Sequence, residues 1–356
     1  MYKKILFINP FGIGDVLFTT PIIHTLKDSF PEIKIGYLCN RRTASILENN
    51  PFIDFVFIYE RDEFQKVREG SFINWVKKNL DFLDKIKQQG FDLAIDFSLN
   101  SQYGFFSWYA GIRQRLGYNY KNRGWLLTKK IKLEGYSDKH IVEYYTDLLK
   151  LISIDLKYRK LELYINNTDL VWAEAFLNKY GINSGDLLVA IIPGAGASWG
   201  KDAYLKRWSI ENFAALSDKI IENYKAKIII MGDLSEKEAA KSMLNTLHYE
   251  TIDACGETNL DQFAALLSRM NLVITNDGGP LHMAVALGIK TVSIFGPVDD
   301  KVYGIFPPSD NHIIIKKDLS CRPCYQKFRM PRCNRSRECI NSISIEEVFE
   351  AARKLL

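Results

Sequence analysis

The sequence predicts an α/β protein of two Rossmann-like domains that face a central cleft. Its 356 residues exceed what one hydrophobic core usually organises, so two domains are expected. Apolar segments of strand length alternate with helical patterns in both halves, which is typical of parallel sheets, and the alternation restarts after a polar break at residues 166–168. Because parallel sheets bind ligands at the carboxyl ends of their strands, we expect the functional site at the cleft.

The predicted elements follow in a regular order. The first half opens on a buried strand at residues 3–9, passes through a glycine-containing turn into a helix, and continues with strands at 34–38, 55–58 and 93–96 and a helix at 74–88. The second half has strands at 187–193, 227–232, 271–277 and 291–297, and helices at 210–224, 235–247, 260–268 and 280–287. We therefore expect an N-terminal domain at 1–165, a linker region at 166–185, a C-terminal domain at 186–343 and a closing helix at 344–356.

Composition excludes several classes of protein. Hydrophobic residues make up 47% of the chain and charged residues 25%, which is an ordinary globular balance. The net charge of +5 is too mild to indicate nucleic acid binding without a recognisable motif. Apolar runs such as 187–192 are far shorter than the ~20 residues of a membrane span, and the first apolar run is broken by Pro10 and Gly12, unlike a secretory signal. We expect a cytoplasmic protein without a nucleic acid partner.

One segment is unusually basic. Residues 97–133 contain no Asp or Glu, and their cations are interleaved with aromatic side chains. The basic residues are Arg113, Arg115, Lys121, Arg123, Lys129, Lys130 and Lys132. Two interpretations stay open: a face for an anionic partner or a membrane surface, and an ordinary solvated face over core aromatics.

The first candidate motif is GIGD at residues 12–15, in the turn after the first strand. Its glycines, Gly14 among them, allow a ligand to approach the backbone. A dinucleotide fingerprint would require glycine at position 17, where the chain has Leu17. Asp15 is the one ionisable residue of this turn, so it could accept a proton from a substrate hydroxyl or cap the following helix.

The second motif, IPGAGASWGKDAYLKRWSIENF at residues 192–213, joins a strand to a helix through a loop of small and basic residues. Gly196 and Ser198 could expose backbone amides, and Lys206 could neutralise phosphate oxygens. A diphosphate is the ligand that this combination suggests, although glycine-rich loops also serve as simple connectors.

The third motif, TNDGGPLHMA at residues 275–284, follows a strand and opens a helix. Gly278 and Gly279 leave the amino end of that helix open to an anion. Asp277 suits contact with sugar hydroxyls, or a helix cap, better than contact with phosphate. His282 could contact a ligand or be a structural histidine.

In this order, the three motifs resemble the ADP-heptose:lipopolysaccharide heptosyltransferase family, whose members have the B-type glycosyltransferase fold (GT-B). The similarity is strongest in GDVLFTTPIIHTLKDSFPEIKI, KRWSIENFAAL and LDQFAALLSRMNLVITNDGGPLHMAVALGIKTVSIFGP, with weaker similarity in RLGY and HIVEYYTDLLK. Two positions depart from the family pattern: Gly278 stands where Ser or Thr is usual, and Ser209 where Pro is frequent.

The resemblance implies an inverting transfer of heptose from ADP-heptose to a lipopolysaccharide core or related anionic glycan or glycolipid, without a catalytic metal. It implies that Asp15 is the general base, that Lys206 binds the donor phosphate and that Glu236 contacts the nucleoside. Residues 277–279 would hold the diphosphate sugar, in a donor-binding C-terminal domain, and the N-terminal domain would bind the acceptor. It also fits a protein peripheral to the cytoplasmic face of the inner membrane.

Four of the six cysteines lie within residues 321–339. Cys321 and Cys324 have metal-ligand spacing, and with Cys333 and Cys339 they could hold a structural Zn or Fe. A cytoplasmic location disfavours disulfides.

Other functions remain compatible with the same architecture. They are a nucleotide-sugar epimerase, a transferase with another donor or a protein acceptor, and a non-catalytic protein that binds nucleotide sugars.

Overall fold

The computed structural model of the protein describes residues 2–356, except for the side chains of Ala197 and Ser198. The chain divides into two compact units. Unit 1 ends at Tyr136 and also includes Ile141–Arg159, and unit 2 comprises Ser137–His140 and Lys160–Leu356.

Unit 1 contains a six-stranded parallel sheet with the order β3-β2-β1-β4-β5-β6. The central strands are buried along most of their length, which explains their nearly continuous apolar sequences. The strands are β1 Lys4–Ile8, β2 Lys34–Cys39, β3 Phe55–Ile58, β4 Leu93–Asp96, β5 Gln114–Tyr120 and β6 Lys129–Leu133. This is the strand order of dinucleotide-binding Rossmann folds.

Unit 2 repeats the arrangement, with the order β12-β11-β10-β7-β8-β9. Its strands are β7 Leu188–Ile192, β8 Lys227–Ile230, β9 Ile252–Asp253, β10 Leu272–Asn276, β11 Lys290–Ile294 and β12 His312–Ile315. If the strands of unit 2 are numbered from its own first strand, β7, and counted from the β9 edge, their order is the same as in unit 1. The predicted α/β fold with two Rossmann-like sheets is therefore confirmed.

Helices accompany both sheets. Those of unit 1 are α1 Ile13–Leu17, α2 Thr20–Ser29, α3 Arg41–Glu48, α4 Arg61–Gly70, α5 Phe72–Gln89, α6 Ser101–Tyr109 and α7 Ile141–Lys150. Those of unit 2 are α8 Asn167–Lys179, α9 Ile210–Tyr224, α10 Lys237–Leu244, α11 Leu260–Leu267, α12 Gly279–Ala286, α13 Asp300–Tyr303, α14 Glu338–Asn341 and α15 Ile345–Leu355. Two short 3₁₀ segments, Ala197–Lys206 and Leu234–Glu236, precede α9 and α10.

Local sequence explains several helix ends. Ser209 begins α9 by accepting a hydrogen bond from the Asn212 backbone N–H at 3.1 Å. The helix predicted at 235–247 is shorter, because a 3₁₀ turn capped by Asp233 precedes α10. No helix in the described part of the chain is both long and apolar enough to span a membrane.

Candidate active site

Asp15 lies in the first turn of α1, at the carboxyl end of β1. Its Oδ2 accepts a hydrogen bond from the Gly12 backbone N–H at 3.3 Å, which forms half of a capping box. The loop before the helix is fixed by Asn40, whose side-chain amide donates to the carbonyl oxygens of Pro10 and Phe11. Asp15 is therefore a helix-capping residue whose half-buried carboxylate is held in place. Gly14, the other predicted contact here, is the second residue of α1.

Asp96 is a carboxylate that the sequence motifs did not identify. It ends β4 and pairs in register with Ile8, the last residue of β1, which leads into the Asp15 loop. Its side chain is only 5% exposed, and burial raises its pKa to about 6 although the backbone N–H of Ser98 donates to Oδ1 at 2.8 Å. Its position at the end of a central strand is the signal that could have identified it.

Asn276 organises the corresponding edge of unit 2. Its side-chain amide donates to the carbonyl oxygens of Pro193 and Gly194 at 2.8 and 3.0 Å, and its Oδ1 accepts from the Trp208 backbone N–H at 3.0 Å. All of these groups are buried, so each hydrogen bond satisfies a polar group that water cannot reach. One side chain at the end of β10 thus fixes both ends of the loop that carries the second motif.

Lys206 and Asp277 form a buried ion pair at this edge. The Lys206 Nζ lies 2.7 Å from the Asp277 Oδ2, and both side chains are about 5% exposed. The contact is electrostatic rather than a well-aligned hydrogen bond, because Asp277 Oδ2 has no hydrogen-bond donor among the described residues. The Nζ also lies 4.9 Å from the centre of the Trp199 ring, a cation–π distance. An ammonium group held here, beside the start of α12, can bind an anionic ligand.

The amino end of α12 has the open geometry that the third motif predicts. Gly278 is the N-cap and supplies no side-chain cap, and Pro280 lies in the first turn. Gly278 is extended, and a β-carbon there would lie 3.2 Å from the carbonyl oxygen of Ala195. A side chain there would require the Ala195 carbonyl to shift by a few tenths of an ångström, and glycine avoids that shift. His282 is buried on α12, where burial first, then His140 and Lys206, lower its pKa to about 3, so it is neutral.

Glu236 is buried against the second motif. The Asp233 backbone N–H donates to its Oε2 at 3.2 Å, while its Oε1 has no hydrogen-bond partner in the part of the chain that the structure describes. The Arg207 guanidinium approaches that oxygen only to 3.9 Å. Desolvation is the largest influence on the pKa of Glu236 and raises it above its ordinary value. A buried acceptor without a donor is a ready contact for a ligand hydroxyl.

Gly194 makes the position of Glu236 possible. A β-carbon at Gly194 would lie 1.6 Å from the Glu236 Oε1, so any larger residue would displace this carboxylate. The nearby Gly196 has φ 69°, a left-handed conformation that glycine adopts without strain. The side chain of Ser198, also predicted to bind the donor, lies outside the described residues.

Aromatic rings line the same edge. The Trp199 and Tyr325 rings are 5.0 Å apart, and Tyr303 lies 5.9 Å from Tyr325. Tyr325 is held there because its backbone N–H donates to the carbonyl oxygen of Pro297. The cysteine-rich segment therefore contributes an aromatic side chain that packs against Trp199, whose ring contacts Lys206.

The four-cysteine metal site is not supported by the structure. The Cys324 thiol donates to the carbonyl oxygen of Cys321 at 2.9 Å, and the Cys333 sulfur accepts from the Arg337 backbone N–H at 3.3 Å. Nowhere in residues 2–356, as far as they are described, do three or more His, Cys, Asp or Glu side chains form a group that could hold a metal ion. The described residues therefore give no support to the predicted structural Zn or Fe at Cys321, Cys324, Cys333 and Cys339.

The structure thus brings the predicted residues of unit 2 together at the carboxyl edge of its sheet. The ion pair joins Lys206 to Asp277, which directly precedes Gly278 at the start of α12, the helix that carries His282. Glu236 lies against Gly194, in the loop of the second motif. In unit 1, the carboxyl edge holds Asp15 in its capping turn and Asp96 in the neighbouring strand.

Solved structures share this fold. Escherichia coli ADP-heptose lps heptosyltransferase II has a TM-score of 0.76 at 20% identity, over 99% of this chain and 98% of that chain. A glycosyl transferase family 9 protein from Veillonella parvula has a TM-score of 0.80 at 22% identity, over 99% and 97% of the two chains. The chain therefore has the fold of the B-type glycosyltransferases.

Sequence comparison identifies the family. Residues 80–333 match glycosyltransferase family 9 (heptosyltransferase). Lipooligosaccharide heptosyltransferase 2 of Campylobacter jejuni is 26% identical over 232 residues, which are 64% of this chain and 69% of that protein. Lipopolysaccharide heptosyltransferase 2 of Escherichia coli K12 is 24% identical over 306 residues, 83% of each chain. Because the family match covers most of its length, the chain belongs to glycosyltransferase family 9, the heptosyltransferase family, and is a glycosyltransferase.

Proposed function

We propose that this enzyme is an inverting transferase that moves heptose from ADP-heptose to an anionic glycan or glycolipid acceptor of the lipopolysaccharide core type. The observation that carries the proposal is the buried Lys206–Asp277 pair at the uncapped amino end of α12. The names of the family and of its relatives supply the sugar and the acceptor class.

The donor is bound by unit 2. The Lys206 ammonium and the first backbone amides of α12 neutralise the diphosphate, since both present positive charge at one edge of the sheet. Glu236 Oε1, which lacks a hydrogen-bond donor among the described residues, accepts a hydrogen bond from a nucleoside hydroxyl. When the donor phosphate binds the Lys206 ammonium, Asp277 leaves that ion pair and accepts hydrogen bonds from sugar hydroxyls. His282, neutral because its pKa is lowered to about 3, contributes a hydrogen bond and no charge.

The reaction is a single displacement. Asp15 takes the proton of the acceptor hydroxyl as that oxygen forms a bond to the anomeric carbon. The bond from the anomeric carbon to the diphosphate breaks, and ADP leaves with the electron pair. Lys206 and the amino end of α12 stabilise the charge that grows on the leaving diphosphate, so these residues require no catalytic metal. Attack from the opposite face inverts the anomeric configuration.

The acceptor is bound by unit 1, where Asp15 lies. An acceptor carried on a lipid brings the enzyme to the cytoplasmic face of the inner membrane as a peripheral protein. The hydrogen bond from the Gly12 backbone N–H fixes the Asp15 carboxylate in one orientation. A fixed carboxylate suits the role of a base that must meet the acceptor hydroxyl.

Donor and acceptor profiling tests the proposal. Purified enzyme is incubated with ADP-heptose, with other nucleotide sugars and with lipopolysaccharide core acceptors, and the products are analysed by mass spectrometry. We expect a heptosylated acceptor and free ADP from ADP-heptose only. An altered nucleotide sugar without transfer would instead identify an epimerase, and binding without turnover would identify a non-catalytic protein.

A further inference from the structure

Unit 1 carries three exposed aromatic side chains close to exposed cations. Trp125 is 67% exposed, Trp108 53% and Phe105 42%. We define the aromatic–basic face as these three residues together with the exposed Arg113, Lys121 and Arg123. Large aromatic side chains normally bury most of their area, so a cluster held in solvent indicates a surface that a partner covers.

Packing joins the parts of this face. The Phe105 and Trp108 rings on α6 are 5.7 Å apart. A β-carbon on Gly104 of α6 would lie 3.4 Å from the Leu126 side chain, so α6 packs beside the loop that bears Trp125. That loop has a fixed shape, because the Gly124 backbone N–H donates to the Asn119 side chain at 3.0 Å.

Arg115 links the two basic segments of the face. Its guanidinium donates to the carbonyl oxygens of Ile112 and Leu126, the neighbours in sequence of Arg113 and Trp125. One planar group therefore connects both segments, and Arg115 itself is turned inward rather than toward a partner. Lys130 is likewise used internally, because it donates to the carbonyl oxygen of Gly124.

The charge of the face identifies the partner. Arg113 and Arg123 are exposed and have no ion pair or hydrogen bond through their side chains within the described residues, and residues 97–133 contain no acid. Tryptophan at a membrane–water interface places its apolar ring among acyl chains and its N–H near headgroups, while lysine and arginine attract anionic lipids. Nucleic acid could stack bases on such rings, but the net charge of only +5, without a recognisable nucleic-acid-binding motif, favours the bilayer.

We propose that the aromatic–basic face docks unit 1 on a bilayer containing anionic phospholipid, independently of the acceptor. The proposal rests on the proposed function only in that a glycolipid acceptor gives the enzyme a reason to be at a membrane. Trp108, Trp125 and Phe105 insert at the interface, and Arg113, Lys121 and Arg123 contact lipid phosphates.

Vesicle cosedimentation tests the proposal with acceptor-free lipids. The full chain is mixed with phosphatidylglycerol–phosphatidylethanolamine vesicles or with phosphatidylcholine vesicles. We expect binding to the first and little to the second. Trp108→Ala/Trp125→Ala should weaken binding at least tenfold, and Lys121→Gln/Arg123→Gln should weaken it roughly tenfold, with a larger effect at low salt, because each surface cation contributes attraction to anionic lipid.

Matched variants control for the number of apolar and charged groups removed. Phe72→Ala/Ile73→Ala removes side chains that are 62% and 78% exposed on α5 of the same unit, and Lys66→Gln/Lys77→Gln removes two exposed cations elsewhere. Both should bind vesicles like the unaltered enzyme. If they lose binding as strongly as the face variants, or if the unaltered enzyme binds only vesicles that contain acceptor glycolipid, the proposed face is wrong.

Turnover on a soluble, lipid-free acceptor fragment separates this proposal from the proposed function. The Trp108→Ala/Trp125→Ala enzyme should keep its turnover on that fragment within about twofold, since catalysis there needs no membrane. Vesicle binding without any transferase activity in the unaltered enzyme would contradict the proposed function and leave the docking face intact.

Discussion

The Lys206 ammonium is paired with Asp277 inside unit 2, at 2.7 Å and almost out of contact with solvent. A diphosphate that binds this ammonium must therefore compete with a carboxylate already in place. Because a buried charged group without a partner is costly, each member holds the other in position before the donor arrives. We therefore propose that the donor diphosphate replaces Asp277 as the partner of Lys206 at a preformed anion site.

Lys206→Ala should lower the affinity for ADP at least tenfold, because it removes the phosphate ligand and leaves Asp277 as an uncompensated negative charge at the site. Calorimetry at two salt concentrations measures this, and the deficit should shrink at high salt. Lys201→Ala, an exposed lysine in the same 3₁₀ segment, is the control. Equal ADP affinity for Lys206→Ala and the unaltered enzyme would remove Lys206 from the donor site.

Two substitutions separate the roles of Asp15. Asp15→Asn keeps an oxygen that can accept the hydrogen bond from Gly12, whereas Asp15→Ala loses it. Both should reduce turnover by roughly 10² to 10⁴, the range for loss of a general base. Only the alanine variant should lose stability, by about 1 kcal/mol, the scale of a helix cap. Steady-state kinetics and thermal unfolding measure the two effects, and full activity of Asp15→Asn would reduce Asp15 to a cap.

Gly194→Ala tests the contact between the second motif and Glu236. The added β-carbon would lie 1.6 Å from the Glu236 Oε1, so the carboxylate must leave its position. We expect ADP affinity to fall about tenfold or more, the effect of losing one hydrogen bond to a charged group. Gly185→Ala is the control, because a β-carbon there meets no atom within 4 Å. ADP affinity that is the same in both variants would argue against a nucleoside contact by Glu236.

Asp96 should make stability depend on pH. Its pKa of about 6 in the folded chain exceeds the ~3.9 of an unfolded Asp, so the folded state binds more protons between these values. The stabilisation that comes from proton binding by Asp96 is therefore fully present below about pH 4, and it is lost as the pH rises through about 6.

Asp96→Asn, which cannot ionise, should gain stability relative to the unaltered enzyme between pH 4 and pH 7, by at most about 3 kcal/mol. Chemical unfolding across that range measures the difference, with the exposed Asp81→Asn as control. A difference that does not change with pH would show that Asp96 ionises normally.

Sequence patterns predicted the central strands well, because those strands are buried on both faces and read as apolar runs. The strand predicted at 93–96 is confirmed, and so is the half-buried edge strand predicted at 55–58. Strands β5 and β6 were missed, since Gln114–Tyr120 and Lys129–Leu133 carry many charged and polar residues, and β6 lies at the sheet edge.

Within the site, motifs identified residues whose types carry the chemistry, such as Lys206. They could not identify Asn276, whose role as a clamp on two loop ends depends on tertiary contacts. Nor did they identify Asp96, whose pKa is raised by burial, although its position at the end of a predicted strand was a usable signal. The cysteine spacing suggested a metal site, but spacing in a sequence does not determine whether the sulfur atoms come within bonding distance of one ion.

The configuration of the product tests the central claim most directly. The enzyme is given ADP-heptose and a lipopolysaccharide core acceptor, and the anomeric configuration of the transferred sugar is read by NMR, with Lys206→Ala and Asp15→Asn as parallel reactions. We predict a heptosylated product of configuration opposite to the donor, and little product from either variant. Retained configuration, or full product from both variants, would contradict the account.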